Sequence, residues 1–296
     1  MVEHLAVSGA GAPATPPMSP RVDLHTHSDC SDGALSPAAL VARAAVRQVH
    51  ALALTDHDTL GGCEAARAAC QANGIQFLPG VELSAEWRGR EIHVVGLNID
   101  PANPALQQHC SAMLERRRER LGAIAQRLHA AGLPGEALTR TALAADAPTR
   151  THVAQAMCQA GIAKDAATAF ERWLKPGRPG HVAARWEALS TVVGCVTGAG
   201  GIAVLAHPHR YRVSNGVLRE LVGEFQTAGG RGIEVSLAGM GPADSDRAAS
   251  LARRFGLAGS IGSDFHVPDL PWRPLGRFAK LPDGVTPVTA HLGLGF

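Results

Sequence analysis

Several things are scarce in this chain of 296 residues. Aromatic residues make up 4%, with one tyrosine and seven phenylalanines. Lysine occurs only at Lys164, Lys175 and Lys280. No apolar run approaches the roughly 18 residues that a membrane span requires. The opening segment, MVEHLAVSGAGAPATPPMSP, lacks the basic and continuous apolar regions of a secretory signal. A membrane partner is therefore not expected, and the cytoplasm is the expected location. Charge of one sign is not in excess either, since 28 basic residues face 26 acidic ones for a formal charge of +2. That balance argues against a long nucleic acid held by electrostatics alone, so an anionic ligand has to be gripped locally. Cys30, Cys63, Cys70, Cys110, Cys158 and Cys195 form no CxxC pair. A ribbon- or finger-type zinc site is not expected on that ground, and buried free thiols in a reducing compartment are. What the chain does have is 46% hydrophobic residues, enough for a sizeable core, and 14 histidines. Histidine is the commonest metal ligand and titrates near neutrality, so the placement of these side chains decides their meaning.

Residues 1–20, rich in Ala, Gly, Pro and Ser without periodicity, read as a flexible tail. Beyond Arg21, apolar strands alternate with helices. Val22–His25 reads as a strand, followed by a helix from the Ser36-Pro37 cap to about Val49. Further strands are predicted at Ala51–Leu54, Phe77–Leu83 and Ile92–Ile99, with a helix at Gly61–Ala72. After residue 200 the rhythm resumes with strands at Ile202–Ala206, Gly232–Val235 and Leu257–Ile261. Such alternation predicts parallel strands under covering helices, in a barrel-like α/β fold. Between them, residues 104–180 show helical patterns only, including one over Leu106–Ala131. The division expected is a barrel over 21–103 and 181–296 and an all-helical insertion over 104–180. An insertion of this kind sits on the catalytic side of a barrel if it follows a strand's C-terminal end, where it can act as a lid over substrate.

Ionisable residues recur at these strands. In Asp23-Leu24-His25-Thr26-His27 the two histidines share a strand face, and Asp32 follows in the next loop. A lone HxH pair is also what two surface histidines would look like. The second strand ends in Thr55-Asp56-His57-Asp58, the third in Gly80-Val81-Glu82, and the fourth contains His93. Later strands end in Ala206-His207-Pro208-His209 and Ser263-Asp264-Phe265-His266. Nine candidate metal ligands result: His25, His27, Asp32, His57, Glu82, His93, His207, Asp264 and His266. At about four to six ligands per ion, with bridging groups and water counted, the set supplies two divalent cations and extends to three. Mixed imidazole and carboxylate donors suit Mn2+, Zn2+ or Fe2+.

The ordered series HTH (25–27), Asp32, TDHD (55–58), GVE (80–82), His93, AHP (206–208) and SDFH (263–266) resembles the polymerase and histidinol phosphatase (PHP) family of metal-dependent phosphoesterases. The resemblance implies a distorted seven-stranded (βα) barrel, TIM-like, with two to three divalent ions at its C-terminal face, Mn2+ being the first expectation. It also implies phosphoester hydrolysis. The central segment, from Arg150-Thr151-His152 to the run Phe170–His181, is similar to the insertion of a stand-alone subgroup. Members of that subgroup act as 3′,5′-nucleoside bisphosphate phosphatases and as 5′→3′ exoribonucleases on short RNA. The partner implied is thus a small nucleotide or a short oligonucleotide. This chain differs from the subgroup pattern at Thr151, His181 and His209, none of them a ligand position.

Phosphate esters resist attack because their anionic oxygens repel a nucleophile and hydroxide is scarce. Paired cations lower the pKa of a bound water to about 7 and neutralise those oxygens. Asp32 and His57 are candidate catalytic residues within such a cluster. Asp58 and His209 adjoin ligands, and each could orient them or protonate the departing oxygen; for His209, phosphate contact and a passive rim position are equally open. Arg150, His152, Lys175, Arg178 and Arg210 are candidate substrate contacts. The run Glu115–Arg120 reads as a salt-bridged exposed helix face instead. Amidohydrolases also place an HxH pair in a barrel, but the three lysines lie away from the mid-barrel position that enzyme class uses. Histidinol-phosphate phosphatase fits the barrel and not the insertion, and a purely structural metal module would not need competent ligands at all nine positions.

Overall fold

The computed structural model describes residues 21–268 and 273–294. The expected tail at 1–20 lies outside them. The chain opens with β1 (Arg21–Asp23), α1 (Pro37–Val46), β2 (Val49–Leu54), α2 (Cys63–Ala72), β3 (Gln76–Trp87) and β4 (Arg90–Leu97). The Ser36 hydroxyl accepts the Ala39 N–H at 3.3 Å and Pro37 opens α1, as the cap predicts. The helix stops three residues short of Val49, because Gln48 takes a left-handed φ of 57° and turns the chain directly into β2.

Next come α3 (Pro104–Ala130), α4 (Gly135–Leu143), α5 (Arg150–Gln159), α6 (Ala166–Ala169) and a π-helical turn at Phe170–Leu174. β5 (Glu187–Ala188), α7 (Leu189–Gly198), β6 (Ile202–Leu205), α8 (Asn215–Thr227), β7 (Gly232–Leu237), α9 (Pro242–Phe255) and β8 (Ala258–Gly262) complete the order, with a short 3-10 turn at Val288–His291. The strands pair in the sequence β1-β2-β3-β4-β6-β7-β8, with β5 added beside β3. Backbone bonds from Leu24 N to Ile261 O and from Asp264 N to His25 O join the last strand to the first. The result is a closed barrel of seven strands, the α/β architecture expected. Among the described residues no helix is long and apolar enough to cross a membrane.

The strands are not all parallel, which corrects the sequence expectation. β4 runs antiparallel to both β3 and β6. The cause is the link between β3 and β4: only Arg88 and Gly89 separate them, at φ of 48° and 73°. Two residues with positive φ make a hairpin turn, and a parallel crossover needs about a dozen residues. Because β4 runs downward, α3 starts at the opposite end of the barrel from the strand ends that carry His57 and Asp264. There Asp100 N bonds Ala199 O, and Asn103 bonds Gly198 O at 3.2 Å. A helix of 27 residues spans about 40 Å, enough to climb the barrel wall. Leu106 and Cys110, near its start, pack into the barrel's outer core with Val192, Val193 and Val196 of α7. Leu121, Ile124 and Leu128, near its end, pack with α4, α5 and Leu174 in a separate cluster.

Inside the barrel the lower layer is aliphatic: Val22 and Leu24, Ala51 and Ala53, Leu78, Val95 and Leu97, Ile202 and Val204, and Ala258. Strand side chains alternate faces, so the inward row of β4 reads Leu97, Val95, His93 and that of β3 reads Leu78, Gly80, Glu82. One inward face thus passes from hydrocarbon at the bottom to ionisable groups at the mouth.

Candidate metal centre

Glu82 lies at the centre of the mouth, fully buried and in the middle of β3. The sequence placed it at a strand end; β3 continues five residues further because it forms the hairpin with β4. Its Oε2 lies 3.2 Å from His25 Nε2, 3.3 Å from His27 Nε2 and 3.1 Å from His57 Nδ1. Its Oε1 lies 2.9 Å from His93 Nδ1 and 2.8 Å from His207 Nε2. Five imidazoles, one within β4 and four in the segments that directly follow β1, β2 and β6, therefore converge on one carboxylate.

Three overlapping donor groups can be drawn around it. In the first, His25, His27, Glu82 and Asp264 present ligand atoms mutually within 4.8 Å. His25 and His27 Nε2 are 3.0 Å apart, and each lies 3.3–3.4 Å from Asp264 Oδ1. Ligands about 2.0–2.1 Å from a tetrahedral cation would be spaced by about 3.4 Å, so these atoms have the separations of a coordination shell. A second group comprises His27, Asp32, His57 and His266; His266 Nε2 is 3.3 Å and His57 Nε2 3.8 Å from Asp32 Oδ1. The third joins His57, Glu82 and His93, with His207 on the same Glu82 oxygen.

The residues fit divalent cations. Buried side-chain atoms His27 Nδ1, Asp32 Oδ1, His57 Nδ1 and Asp264 Oδ2 have no partner in hydrogen-bond geometry, although charged neighbours crowd them. Burial would push the carboxyls up, yet the surrounding imidazoles, with Arg210 beside Asp264, hold Asp32, Glu82 and Asp264 well below the usual carboxylate range. Burial would likewise push His25 down, yet Glu234, Glu82 and Asp264 hold it well above its ordinary value, and comparable neighbours hold His27 up at about 9 and His93 at about 10. Three buried carboxylates thus draw positive charge into the mouth, which is the electrostatic setting a cation cluster requires.

Local backbone strain aims these groups. Asp58, His207 and Asp264 take left-handed φ of 50°, 30° and 49° at the ends of β2, β6 and β8. Such conformations are costly for non-glycine residues and are held here by close packing. Gly262 is part of that packing: a Cβ there would meet His25 Cβ at 2.7 Å, so only glycine lets β8 approach β1 this closely.

The PHP domain family matches residues 23–236, most of the chain. The chain belongs to this family. It is 42% identical over 273 residues to a Chromobacterium violaceum 3′,5′-nucleoside bisphosphate phosphatase, covering 92% of this chain and 96% of that one. It is 40% identical to a Haemophilus influenzae 5′-3′ exoribonuclease, over 92% of this chain and 98% of the relative. The Escherichia coli 5′-3′ exoribonuclease Rnm is 41% identical, over 89% and 90%. A solved Chromobacterium violaceum structure, described as an amidohydrolase with bound sulfate and no metal, superposes at TM-score 0.87 with 42% identity, over 92% and 95% of the two chains. A Bifidobacterium adolescentis structure assigned as a metal-dependent phosphoesterase superposes at 0.77 with 26% identity, over 94% and 96%.

Around this PHP cluster, the proposed substrate contacts fall at different distances. Arg210 Nη2 touches Asp264 Oδ2 at 2.5 Å. Arg150 reaches Glu91 at 3.3 Å, and Glu91 Oε1 is in turn 3.6 Å from His93 Nε2. His152 caps α5, its Nδ1 accepting the Thr149 N–H at 3.1 Å. Lys175 pairs with Glu171 on the same turn, and Arg178 is exposed. His209 is half-buried in a 3-10 turn with Nδ1 unpartnered; burial and Arg210 push it down to about 4.

Two expectations need correction. Asp58 orients no ligand: its Oδ2 holds Arg117 at 2.6–2.8 Å and its Oδ1 accepts the Ser84 N–H. The run on α3 is only in part the salt-bridged exposed face expected: Glu115, Arg118 and Glu119 are exposed, with Arg118 3.9 Å from Glu115, while Arg117 is buried on Asp58 and Ser84 and Arg120 lies over Trp186 against Glu91. Helix α3 packs its Arg117 and Arg120 face against the barrel rim, so those two side chains meet protein.

Three further groups had not been singled out. Glu234, buried on β7, holds His25 Nδ1 at 2.7 Å and accepts the His207 N–H. A lone acid in the apolar run Gly232–Leu237 was its signal. Asp56 accepts from Ser28 N, Ser28 Oγ and Ser31 Oγ, shaping the loop that delivers Asp32. Tyr211, the single tyrosine, accepts the His93 N–H with its hydroxyl at 3.0 Å.

Proposed function

We propose that the chain is a metal-dependent phosphoester hydrolase that removes the 3′-phosphate from nucleoside 3′,5′-bisphosphates, adenosine 3′,5′-bisphosphate (pAp) being the model substrate. The observation that carries this reading is Glu82, whose two oxygens face separate sets of imidazoles and so can bridge two cations. His25, His27, Glu82 and Asp264 would hold one ion, Glu82, His93 and His207 a second, and Asp32, His57 and His266 a third, with His27 and His57 in reach of two of them. Mn2+ is the first expectation, and Zn2+ and Fe2+ suit the same donors. Bound divalent cations supply an activated hydroxide and neutralise the phosphate oxygens.

The chain's own residues do the rest. Asp32 and His57 stand beside His266, whose side chain is 21% exposed, and there they meet the reacting phosphate. Arg210, beside Asp264, adds a cation for the phosphate oxygens, and Arg150 and His152 line the approach from the helical insertion. His209, half-buried two residues from His207 with its Nδ1 unpartnered, serves as a contact to the substrate. Lys175 and Arg178 sit further out and meet only a substrate that extends past the mouth. Residues 104–180 form the insertion that covers the bound nucleotide. The six free cysteines suit a reducing cytoplasm.

The exoribonuclease relatives support a second activity in the same site. Removing the 3′-phosphate of pAp and releasing the first nucleotide of a 5′-phosphorylated RNA both break the bond between O3′ of the terminal nucleotide and phosphorus. The two substrates differ only in whether another nucleotide continues beyond that phosphorus. The test is phosphate release from pAp by protein supplied with Mn2+, Zn2+ or Fe2+. Release that stops with EDTA and in Glu82→Gln is expected, and no release with any of the three ions contradicts the reading.

A further inference from the structure

Beside the mouth, two cavities of about 420 and 430 Å3 share Arg120, Ala183 and Trp186 as a common wall. The inner one is lined by Arg90, Arg150 and His181 against Glu86 and Glu91, and it begins at Glu91, the group that touches His93. The outer one runs along α3 under residues 182–186 and is lined by Arg116, Arg120, Arg127 and Arg185 against Glu119 as the sole lining carboxylate. Arg116 is neutralised by Glu187 and Arg120 by Glu91. Among the described residues, Arg127 and Arg185 make no carboxylate pair; Arg127 bonds only the Pro179 carbonyl, through Nε at 2.9 Å. Trp186 forms the floor, with the guanidinium groups of Arg117 and Arg120 at 5.3 and 5.5 Å from its ring centroid and its indole N–H buried and without an acceptor.

We propose that this trough binds the sugar-phosphate backbone of single-stranded RNA downstream of the scissile phosphate. The inner cavity takes the first nucleotide beyond the cut, and Arg127 and Arg185 hold phosphates further along. A mononucleotide bisphosphate ends at the metal cluster and never reaches these two arginines. A phosphodiester chain continuing past the reacting phosphorus has to leave the mouth, and a cationic groove contiguous with the cluster is a route for a polyanion. The chain's near-neutral overall charge is compatible with this, because the positive charge is concentrated along one helix edge. The inference rests on the proposed phosphoesterase reading and specifies its longer substrate.

The experiment compares kcat/KM for pAp and for a 5′-phosphorylated decaribonucleotide, in the full-length metal-loaded enzyme and in the Arg127→Ala/Arg185→Ala double variant. The expected result is at least a fivefold loss on the decamer, carried mainly by KM, with pAp within twofold of the unmodified enzyme. The slope of log(kcat/KM) against log[salt] for the decamer is also expected to flatten by about 1.4, at about 0.7 for each of the two phosphates that the variant no longer neutralises. A smaller loss on the decamer, or an equal loss on pAp, overturns the trough. Turnover of pAp without turnover of the decamer by the unmodified enzyme also overturns it and leaves the phosphatase reading standing. Turnover of neither substrate refutes the phosphoesterase reading itself.

Discussion

At the residue scale the site depends on groups that bind no substrate. Glu234 fixes the ring of His25 through Nδ1 and tethers the backbone of His207, so two ligands from different strands share one positioning carboxylate. Outer groups of this kind are worth about 10–100-fold in metal affinity or activity. Glu234→Gln is therefore expected to weaken Mn2+ affinity by about that factor, read by metal titration, while circular dichroism stays unchanged. Arg117 is a second such group, buried with Asp58 beside His57. Arg117→Ala strands the Asp58 carboxylate in the protein interior, a loss of about 3–5 kcal/mol, measurable by urea unfolding. Burial raises Asp58, but Arg117 and the Ser84 contacts hold it below its ordinary value. A depressed carboxyl stabilises the fold above its unfolded pKa of about 3.9 and ceases to do so as pH falls through the folded value. The stability difference between the two proteins should accordingly shrink in acid. The ligands themselves were legible from sequence because each follows or interrupts an apolar strand. Glu234 and Arg117 were not, since their roles depend on which strand and helix lie opposite them.

At the element scale the hairpin of β3 and β4 departs most from a regular barrel and does most to build the site. By running on past the mouth it carries Glu82 and His93 on one inward face, and by reversing direction it sends α3 up the outside wall. The sequence contained the clue: a segment of eight residues between the two predicted strands is too short for a parallel crossover. The alternating pattern of strands and helices elsewhere concealed it. Gly89, at φ 73° in the two-residue turn, is the element's critical backbone position. Gly89→Val should cost about 1–2 kcal/mol, the penalty for a left-handed side-chain-bearing residue, and thermal unfolding of the variant tests this. A drop in stability below that range would show that the turn does not constrain the hairpin.

At the scale of the whole molecule, a wall of hydrocarbon isolates the cluster from the bottom of the barrel, and α3 bounds it from one side through Arg117 and Arg120. The thiols report on that packing. Burial pushes Cys63 up to about 12 and Cys70 to about 11, and it raises Cys110 as well. Native protein should therefore modify these three only slowly with a thiol reagent and rapidly after denaturation, as mass mapping of labelled peptides would show. The barrel-like alternation of strands and helices and the helical character of residues 104–174 could be read from periodicity, and the seven-stranded barrel from the family resemblance. The path of α3 could not, because a helix pattern states its length and apolar stripe without stating the end of the barrel from which it starts. The central claim is spatial: six histidines and three carboxylates, distant in sequence, meet at one mouth to hold divalent cations. Anomalous diffraction from crystals grown with Mn2+ tests it most directly. Two or three strong peaks are expected, with Glu82 between at least two of them and His25, His27, His93, His207, Asp32, His57, Asp264 and His266 as the remaining ligands. Absence of any peak at the mouth, or peaks held by other side chains, would contradict the account.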